Sequence, residues 1–449
     1  MTTSNYGESH PRPQDDRLPV MLVILDGLGD RPITELGDRT PAEAAQTPVL
    51  DRLTRRGASG WHLPFGWGPA PSSEVAHWAM FGYTGVPFPG RAVLEALGAG
   101  LDLLPTATLF VALRTSEPRE RQLWITGRAG PDDGPDAAAL LAGLTPVLTH
   151  YGATLHDLNR GEAILQFACF PNAHVTDSDP FFENLHPWLR VRPSGAAAAG
   201  LAARANDFLL AAREHLMASA TNRARTARNK PALDVLTTKW AGTRQPVPSF
   251  TEQAGVRGAA VTSARMYRGM ATLLGMAWRD GTPQPNLADD IAGRIATGMD
   301  LIGSGARFVH VHTKATDEAG HTKDPRAKLR VLEALDPGLA VLERIAEHAV
   351  VAITGDHATP SVNGVMHTAD PTPLLILGPT IRPDGVRAFG ESYARQGWFG
   401  PVRAAELLPL LFSHANRPVF LGHRATPNQT LALPDHPEAM TIGPPITVV

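Results

Sequence analysis

Residues 19–25 (PVMLVIL) form an unbroken apolar, β-branched run that stops at Asp26-Gly27, the pattern of a strand buried on both faces and closed by a turn. The segments 307–313 (RFVHVHT), 349–354 (AVVAIT) and 373–377 (PLLIL) repeat it. Across 324–348, Leu329, Leu332, Leu335, Leu339, Leu342 and Ile345 recur at helical spacing despite a turn at Pro337-Gly338. Strand and helix in alternation predict an α/β core, a parallel sheet with helices on both faces.

The middle of the chain has a different rhythm. Short β-like pieces at 108–113, 122–125 and 163–168 are mixed with an acidic Gly/Pro loop at 128–136 and two Ala-rich helical stretches, and a Pro-marked linker follows at 243–249. The pattern predicts a discontinuous core over 19–104 plus 246–449, with an α+β domain inserted at 105–245. Residues 1–18 are polar without an apolar signal stretch and are expected to be a disordered lead-in.

Composition narrows the functional classes. The chain has 449 residues with 41 Lys+Arg against 44 Asp+Glu, a formal charge of −3, so neither nucleic acid nor an anionic membrane is an expected partner. The basic stretch 222–230 (NRARTARNK) holds no aromatic residue and is expected to be a solvated helix face or part of the substrate cap. The single cysteine, Cys169, excludes an intramolecular disulfide and any CxxC motif. No run of roughly 18 apolar residues is present. A soluble, cytoplasmic protein is expected, with a monomer and a homo-oligomer equally open.

In open parallel sheets functional groups collect at the carboxyl ends of strands. Asp26, Asp317 and Asp356 each follow a predicted strand, accompanied by His321, His357 and His367. One Asp after a strand is usually a turn residue or a helix cap. Three carboxylates with three imidazoles instead suit two divalent ions such as Mn²⁺ or Zn²⁺, held by mixed oxygen and nitrogen donors. His310 and His312 alternate on one strand and are expected to pack behind the ligands. Ser73, in PSSEVAH between a Gly/Pro-rich loop and an apolar helical stretch, is either a helix cap or a nucleophile, and spacing alone does not choose.

The segments MLVILDGLGDRP (21–32), TPAEAAQTPVLDRL (40–53), PSSEVAHWAMFGY (71–83), GRAVLEALGAGLDL (90–103), HVTDSDP (174–180), HTKATDEAGHTKDP (312–325) and TGDHATP (354–360) closely resemble the archaeal-type cofactor-independent phosphoglycerate mutases of the alkaline phosphatase superfamily. The resemblance runs from about residue 19 to about residue 412. It implies an alkaline-phosphatase-like core with an inserted cap. Ser73 becomes phosphorylated in that reading. Asp26, Ser73, Asp356 and His357 hold one metal, while Asp317, His321 and His367 hold the other, and Lys314 and Arg268 hold anionic oxygens. It further assigns Arg91, Arg128, Asp177 and Lys239 to the substrate. Two Mn²⁺ ions are implied, with Zn²⁺, Mg²⁺ or Co²⁺ as substitutes and no 2,3-bisphosphoglycerate. The implied partner is a small phosphorylated metabolite, and the implied reaction is isomerisation of 3- and 2-phosphoglycerate or a close analogue. Hydrolysis of a small phosphomonoester or phosphonate ester is the alternative, and a non-catalytic metal-binding relative is disfavoured by the intact ligand set.

The insert departs from the family. The family's Phe-Arg-Ala-Asn-Phe reads Phe-Val-Ala-Leu-Arg at 110–114, its Asp-Arg-Arg-Ala-Gly reads Thr-Gly-Arg-Ala-Gly at 126–130, and its Asn followed by Arg-Gly-Ala-Gly becomes Asp234 and then Lys239-Trp240-Ala241-Gly242. Arg-to-Lys is not neutral where a planar fork grips a carboxylate or phosphate. An altered substrate choice is therefore expected to be written in the insert.

Overall fold

A computed structural model describes residues 16–180, 185–420 and 430–431. Most of the expected lead-in lies outside the described residues. Its last part is tied down, because Leu18 N–H donates to Ala415 O at 3.0 Å and Asn416 Nδ2 donates to Asp16 O at 2.7 Å.

The chain divides into two compact units. One holds the described residues up to Pro87, Pro248–Ser263 and those from Leu274 onward; the other holds Phe88–Val247 and Ala264–Leu273. The expected boundaries at 104/105 and 245/246 miss two segments, the helices Arg91–Gly98 and Arg265–Leu273. Their joint membership has a steric cause. A Cβ on Gly98 would stand 1.9 Å from Arg265 O, and one on Gly269 1.7 Å from Leu94 O, so two glycines let these helices pack backbone against backbone.

Along the chain run β1 (Val20–Leu25) and β2 (Ala58–Leu63); then, in the second unit, β3 (Ala107–Arg119), β4 (Gln122–Arg128), β5 (Ala153–Asp157), β6 (Glu162–Phe167), β7 (His186–Pro187) and β8 (Val235–Thr243); then β9 (Gly258–Thr262), β10 (Ala277–Asp280), β11 (Phe308–Thr313), β12 (Val350–Thr354), β13 (Thr372–Leu377) and β14 (Gly400–Arg403). The first unit is an eight-stranded sheet in the order β10-β9-β11-β1-β12-β13-β2-β14. It is parallel-dominated rather than wholly parallel, because β13 runs antiparallel to both β12 and β2. The central trio β11, β1 and β12 is parallel, in the register Leu22 with His310 and Ala352.

Alternation sorts the side chains of this trio. Met21, Val23, Leu25, Val309, Val311, Val351 and Ile353 enter one core with Leu50 and Leu53 of Pro48–Arg56, Ile291 and Ile295 of Leu287–Gly303, and Leu332 and Leu335 of Pro325–Leu335. His310 and His312 take the opposite face, against the helix Ser73–Met80, with His77 and His310 rings 4.9 Å apart.

The second unit is a six-stranded sheet, β5-β6-β3-β4-β7 with β8 paired to β3. Leu109, Val111 and Leu113 of β3 pack under Gly134–Gly143 and Ala199–Ala218, whereas Phe110 and Ala112 face Ala92, Val93 and Ala96. Among the described residues no helix is long and apolar enough to cross a membrane.

Candidate metal centre

Three neighbouring parallel strands end side by side, and the residues beyond their ends form the site. Asp26 follows β1, Lys314 follows β11 and opens the helix Ala315–His321, and Asp356-His357 follow β12. One turn of that helix places Asp317 and His321 on the same face, with His321 Nε2 3.3 Å from Asp317 Oδ1. Ser73 opens the helix Ser73–Met80, and Ser72 before it makes no side-chain cap bond. Ser73 Oγ instead lies 2.8 Å from His357 Nε2, so the capping role left open for it is not the contact observed.

Two donor groups result. Asp317, His321 and His367 form one; Asp26, Asp317 and His357 form the other, so Asp317 belongs to both. Asp356 Oδ2 stands 3.3 Å from His357 Nε2, and its Oδ1 accepts from Gly27 N–H at 3.0 Å and His357 N–H at 3.1 Å. The rings of His357 and His367 stack at 3.9 Å. Lys314 Nζ reaches Asp317 Oδ2 at 3.1 Å and Asp26 Oδ2 at 3.4 Å.

The electrostatics are those of a site short of positive charge. Burial opposes ionisation of Asp26, but Lys314 and the 2.8 Å hydrogen bond from His312 Nε2 overcome it and hold that carboxyl well below the usual range. For Asp356 the balance is reversed: burial, reinforced by the charges of Asp26 and Asp317, outweighs the Gly27 N–H hydrogen bond and Lys314 and pushes its carboxyl well above the usual range. Burial, with the charges of Lys314 and Lys328, lowers His357, and burial with the neighbouring His357 lowers His367 to about 4. A buried carboxyl whose ionisation is opposed by burial and by neighbouring carboxylates is a position a metal ion would complete.

His367 gives an independent test of fit. Its Nδ1 faces Pro71 O, a pure acceptor, at 3.1 Å and must carry the proton. Its Nε2 lone pair, buried and without a hydrogen bond among the described residues, then faces Asp317 Oδ1 at 3.8 Å. Two acceptors pointed at one another fit a cation between them. The donor set thus fits divalent metal.

The remaining expected residues lie in the second unit. Arg128 and Lys239 line a cavity of about 440 Å³ together with Arg114, Arg160, Glu162 and Trp240. Arg91 and Asp177 are not among its lining residues but bracket Trp240: the Arg91 guanidinium sits 3.8 Å over the indole, and Asp177 Oδ1 accepts from Trp240 N–H at 2.8 Å. Arg268 lies on the helix Arg265–Leu273.

Val111, which stands where the family has Arg, is fully buried among the helices and does not line the cavity. Arg114, on the other face of β3, does line it and donates to Asp179 Oδ2 from Nε at 3.0 Å and Nη2 at 2.7 Å. Lys239 Nζ lies 3.3 Å from Asp179 Oδ1 and His186 Nε2 3.1 Å from the same atom. Arg114, Asp179, His77 and Thr359 escaped the sequence reading. Each sits inside or beside a quoted motif, where a polar residue at period two or four was the available signal.

A mixed α/β sheet with carboxylates and imidazoles gathered beyond three parallel strand ends is the frame of a metalloenzyme, and the Metalloenzyme superfamily profile matches residues 18–414. The 2,3-bisphosphoglycerate-independent phosphoglycerate mutase 2 of Methanocaldococcus jannaschii is 30% identical over 422 residues, 90% of this chain and 95% of that protein. The mutase of Thermococcus gammatolerans is 33% identical over 411 residues, 88% and 97% of the two chains. Among solved structures, the cofactor-independent phosphoglycerate mutase from Thermoplasma acidophilum superposes with a TM-score of 0.58 at 27% identity over 89% of this chain and 99% of that one. The PH0037 protein from Pyrococcus horikoshii superposes with a TM-score of 0.71 at 28% identity, covering 89% and 98%. The chain belongs to the metalloenzyme superfamily and, within it, to the 2,3-bisphosphoglycerate-independent phosphoglycerate mutases.

Proposed function

We propose that this enzyme isomerises 3- and 2-phosphoglycerate, or a close analogue, through a phosphoserine at Ser73. The observation that carries the reading is the position of Ser73 Oγ, 2.8 Å from His357 Nε2 beside the buried carboxylates of Asp26 and Asp356. Asp26, Ser73, Asp356 and His357 would hold one ion, and Asp317, His321 and His367 the other. Bound divalent ions supply Lewis-acid charge to a phosphoryl oxygen and to the attacking and leaving oxygens. Mixed carboxylate and imidazole donors suit Mn²⁺, with Zn²⁺, Co²⁺ or Mg²⁺ as substitutes.

The chain's own residues do the rest. Ser73 Oγ attacks phosphorus in line and the alcohol oxygen leaves; the alcohol then takes the phosphoryl group back on its other hydroxyl, which restores Ser73. Lys314, whose ammonium is held protonated against the cost of burial by Asp26 and Asp317, places positive charge where the reacting oxygens gain negative charge. Arg268 is assigned the same task.

We assign substrate binding to the insert, with Arg91, Arg128, Asp177 and Lys239 holding or framing the glycerate. Arg128 and Arg160 have no ion-pair partner among the described residues, which leaves them available to an anion. Arg114 and Lys239 are committed to Asp179. That commitment favours a second reading, in which the alcohol is held too loosely to return and water takes the phosphoryl group instead. Phosphorus NMR of 3-phosphoglycerate with Mn²⁺ separates them: 2-phosphoglycerate supports the mutase, free phosphate the hydrolase, and an unchanged spectrum sinks both for this substrate. A small phosphorylated metabolite in the cytoplasm completes the reading.

A further inference from the structure

Thr359 lies two residues beyond His357, is fully buried, and touches both donor groups. Its Oγ1 is 2.8 Å from Asp317 Oδ1 and 3.2 Å from His357 Nδ1. A hydroxyl has one proton, and a carboxylate can only accept. Oγ1–H therefore donates to Asp317, and the contact with His357 is a hydrogen bond only if Nδ1 carries the imidazole proton. His357 is then the Nδ1–H tautomer, with the Nε2 lone pair turned to Ser73 Oγ at 2.8 Å, Asp356 Oδ2 at 3.3 Å and Asp26 Oδ1 at 3.5 Å.

The placement of Thr359 is over-determined. Its N–H donates to Gly29 O at 3.0 Å, and its carbonyl accepts from Lys328 Nζ at 2.9 Å. Lys328, itself fully buried, spends its other donors on Gly29 O at 2.8 Å and Asp30 Oδ2 at 3.2 Å. Room for the threonine comes from two motif glycines. A Cβ on Gly27, whose φ is +64°, would stand 2.5 Å from Thr359 Oγ1, and a Cβ on Gly320 would stand 2.6 Å from Thr359 O. The glycines after Asp26 and inside Asp317-x-x-Gly320-His321 thus leave room for residue 359, backbone and side chain, and Gly27 leaves room for Asp317 as well.

We propose that Thr359 is a positioning residue: the chain His357 Nδ1–H to Thr359 Oγ1–H to Asp317 Oδ1 sets the tautomer of His357 and couples the two metal-binding groups. This rests on the reading of His357 and Asp317 as metal ligands.

Two measurements test it. In the metal-free wild-type protein, long-range proton–nitrogen NMR of the histidine rings, with His357 identified by its loss in His357→Gln, is expected to show the Nδ1–H form; the Nε2–H form overturns the proposal without any Thr359 variant having to fold. Calorimetric titration with Mn²⁺ is expected to show about 10–100-fold weaker binding in the isosteric Thr359→Val and near-wild-type binding in Thr359→Ser, the range usual for partners of metal ligands. Unchanged binding by Thr359→Val overturns the role of Thr359 alone. A wild-type protein that takes up no Mn²⁺ overturns the ligand assignment beneath it.

Discussion

Ser73 Oγ and His357 Nε2 stand 2.8 Å apart, although the two residues are 284 positions apart in the chain. Two local facts make the meeting possible: Ser73 is the first residue of a helix, where its hydroxyl is not spent on a cap, and His357 follows the central strand β12 by three residues. Beside this candidate metal-binding set, the hydroxyl is the proposed nucleophile.

Ser73→Ala is therefore expected to lower kcat by on the order of 10³ to 10⁶, the scale seen when a nucleophile is removed from a working constellation. Wild-type protein quenched during turnover should carry phosphate on the peptide containing Ser73, detected by mass spectrometry, and the variant should carry none. Turnover that survives the substitution places the nucleophile elsewhere.

Removal of metal should cost stability. Three buried carboxyl groups, Asp26, Asp317 and Asp356, crowd a site where Lys314 supplies a close ammonium. An ion present at about 100 times its Kd adds ~2.7 kcal/mol to the folded state. Urea unfolding with and without a chelator should show a difference of that order. Asp317→Asn should remove more of it than His321→Asn, because Asp317 alone belongs to both donor groups; equal losses contradict the shared role.

A pH effect arises away from this cluster. Burial pushes the Glu391 carboxyl up to about 7, although Thr40 Oγ1 donates to it at 2.5 Å and Asp30 N–H at 3.1 Å. The unfolded chain releases this proton near pH 4.3. The folded state thus binds the proton more tightly, so the stability it confers is complete below about pH 4.3 and is lost as pH rises through 7. The loss is at most on the order of 4 kcal/mol. Glu391→Gln should flatten this part of the profile in urea unfolding between about pH 5 and about pH 8, and an unchanged slope contradicts the assignment.

The gathering of these carboxylates and imidazoles was legible because the residues follow long apolar strands and carry distinctive chemistry. β1, β11 and β12 match the runs at 19–25, 307–313 and 349–354 to within a residue. β13 was legible as a strand but not in its direction, which depends on partners rather than on its own five apolar residues. β2 (ASGWHL), β9 (GAAVT) and β10 (AWRD) were not legible: small and polar residues leave no periodic signal, and pairing inside the sheet decides their state. The unit boundary was hidden for a related reason, since Gly98 and Gly269 act through a close approach of two helices far apart in sequence. Arg114 was hidden by a one-residue matter of strand face, which β3 settles by alternation.

That strand face yields the last prediction. Arg128 and Arg114 line the same cavity but differ in what holds them: Arg128 has no ion-pair partner among the described residues, whereas Arg114 is a two-pronged donor to the fully buried Asp179. Arg128→Ala should leave stability nearly unchanged and lower kcat/KM by about 10–100-fold, mainly through KM, the worth of one charge-assisted hydrogen bond of ~1.5–3 kcal/mol. Arg114→Met should instead destabilise the fold by about 3–5 kcal/mol, because the Asp179 carboxylate keeps its burial and loses its strongest partner. Lys239 and His186 remain beside Asp179 and set the lower end of that range. Thermal unfolding and steady-state kinetics on the two variants decide the matter: a kinetic defect in Arg114→Met without loss of stability makes Arg114 a substrate ligand, and a stability defect in Arg128→Ala removes it from that role.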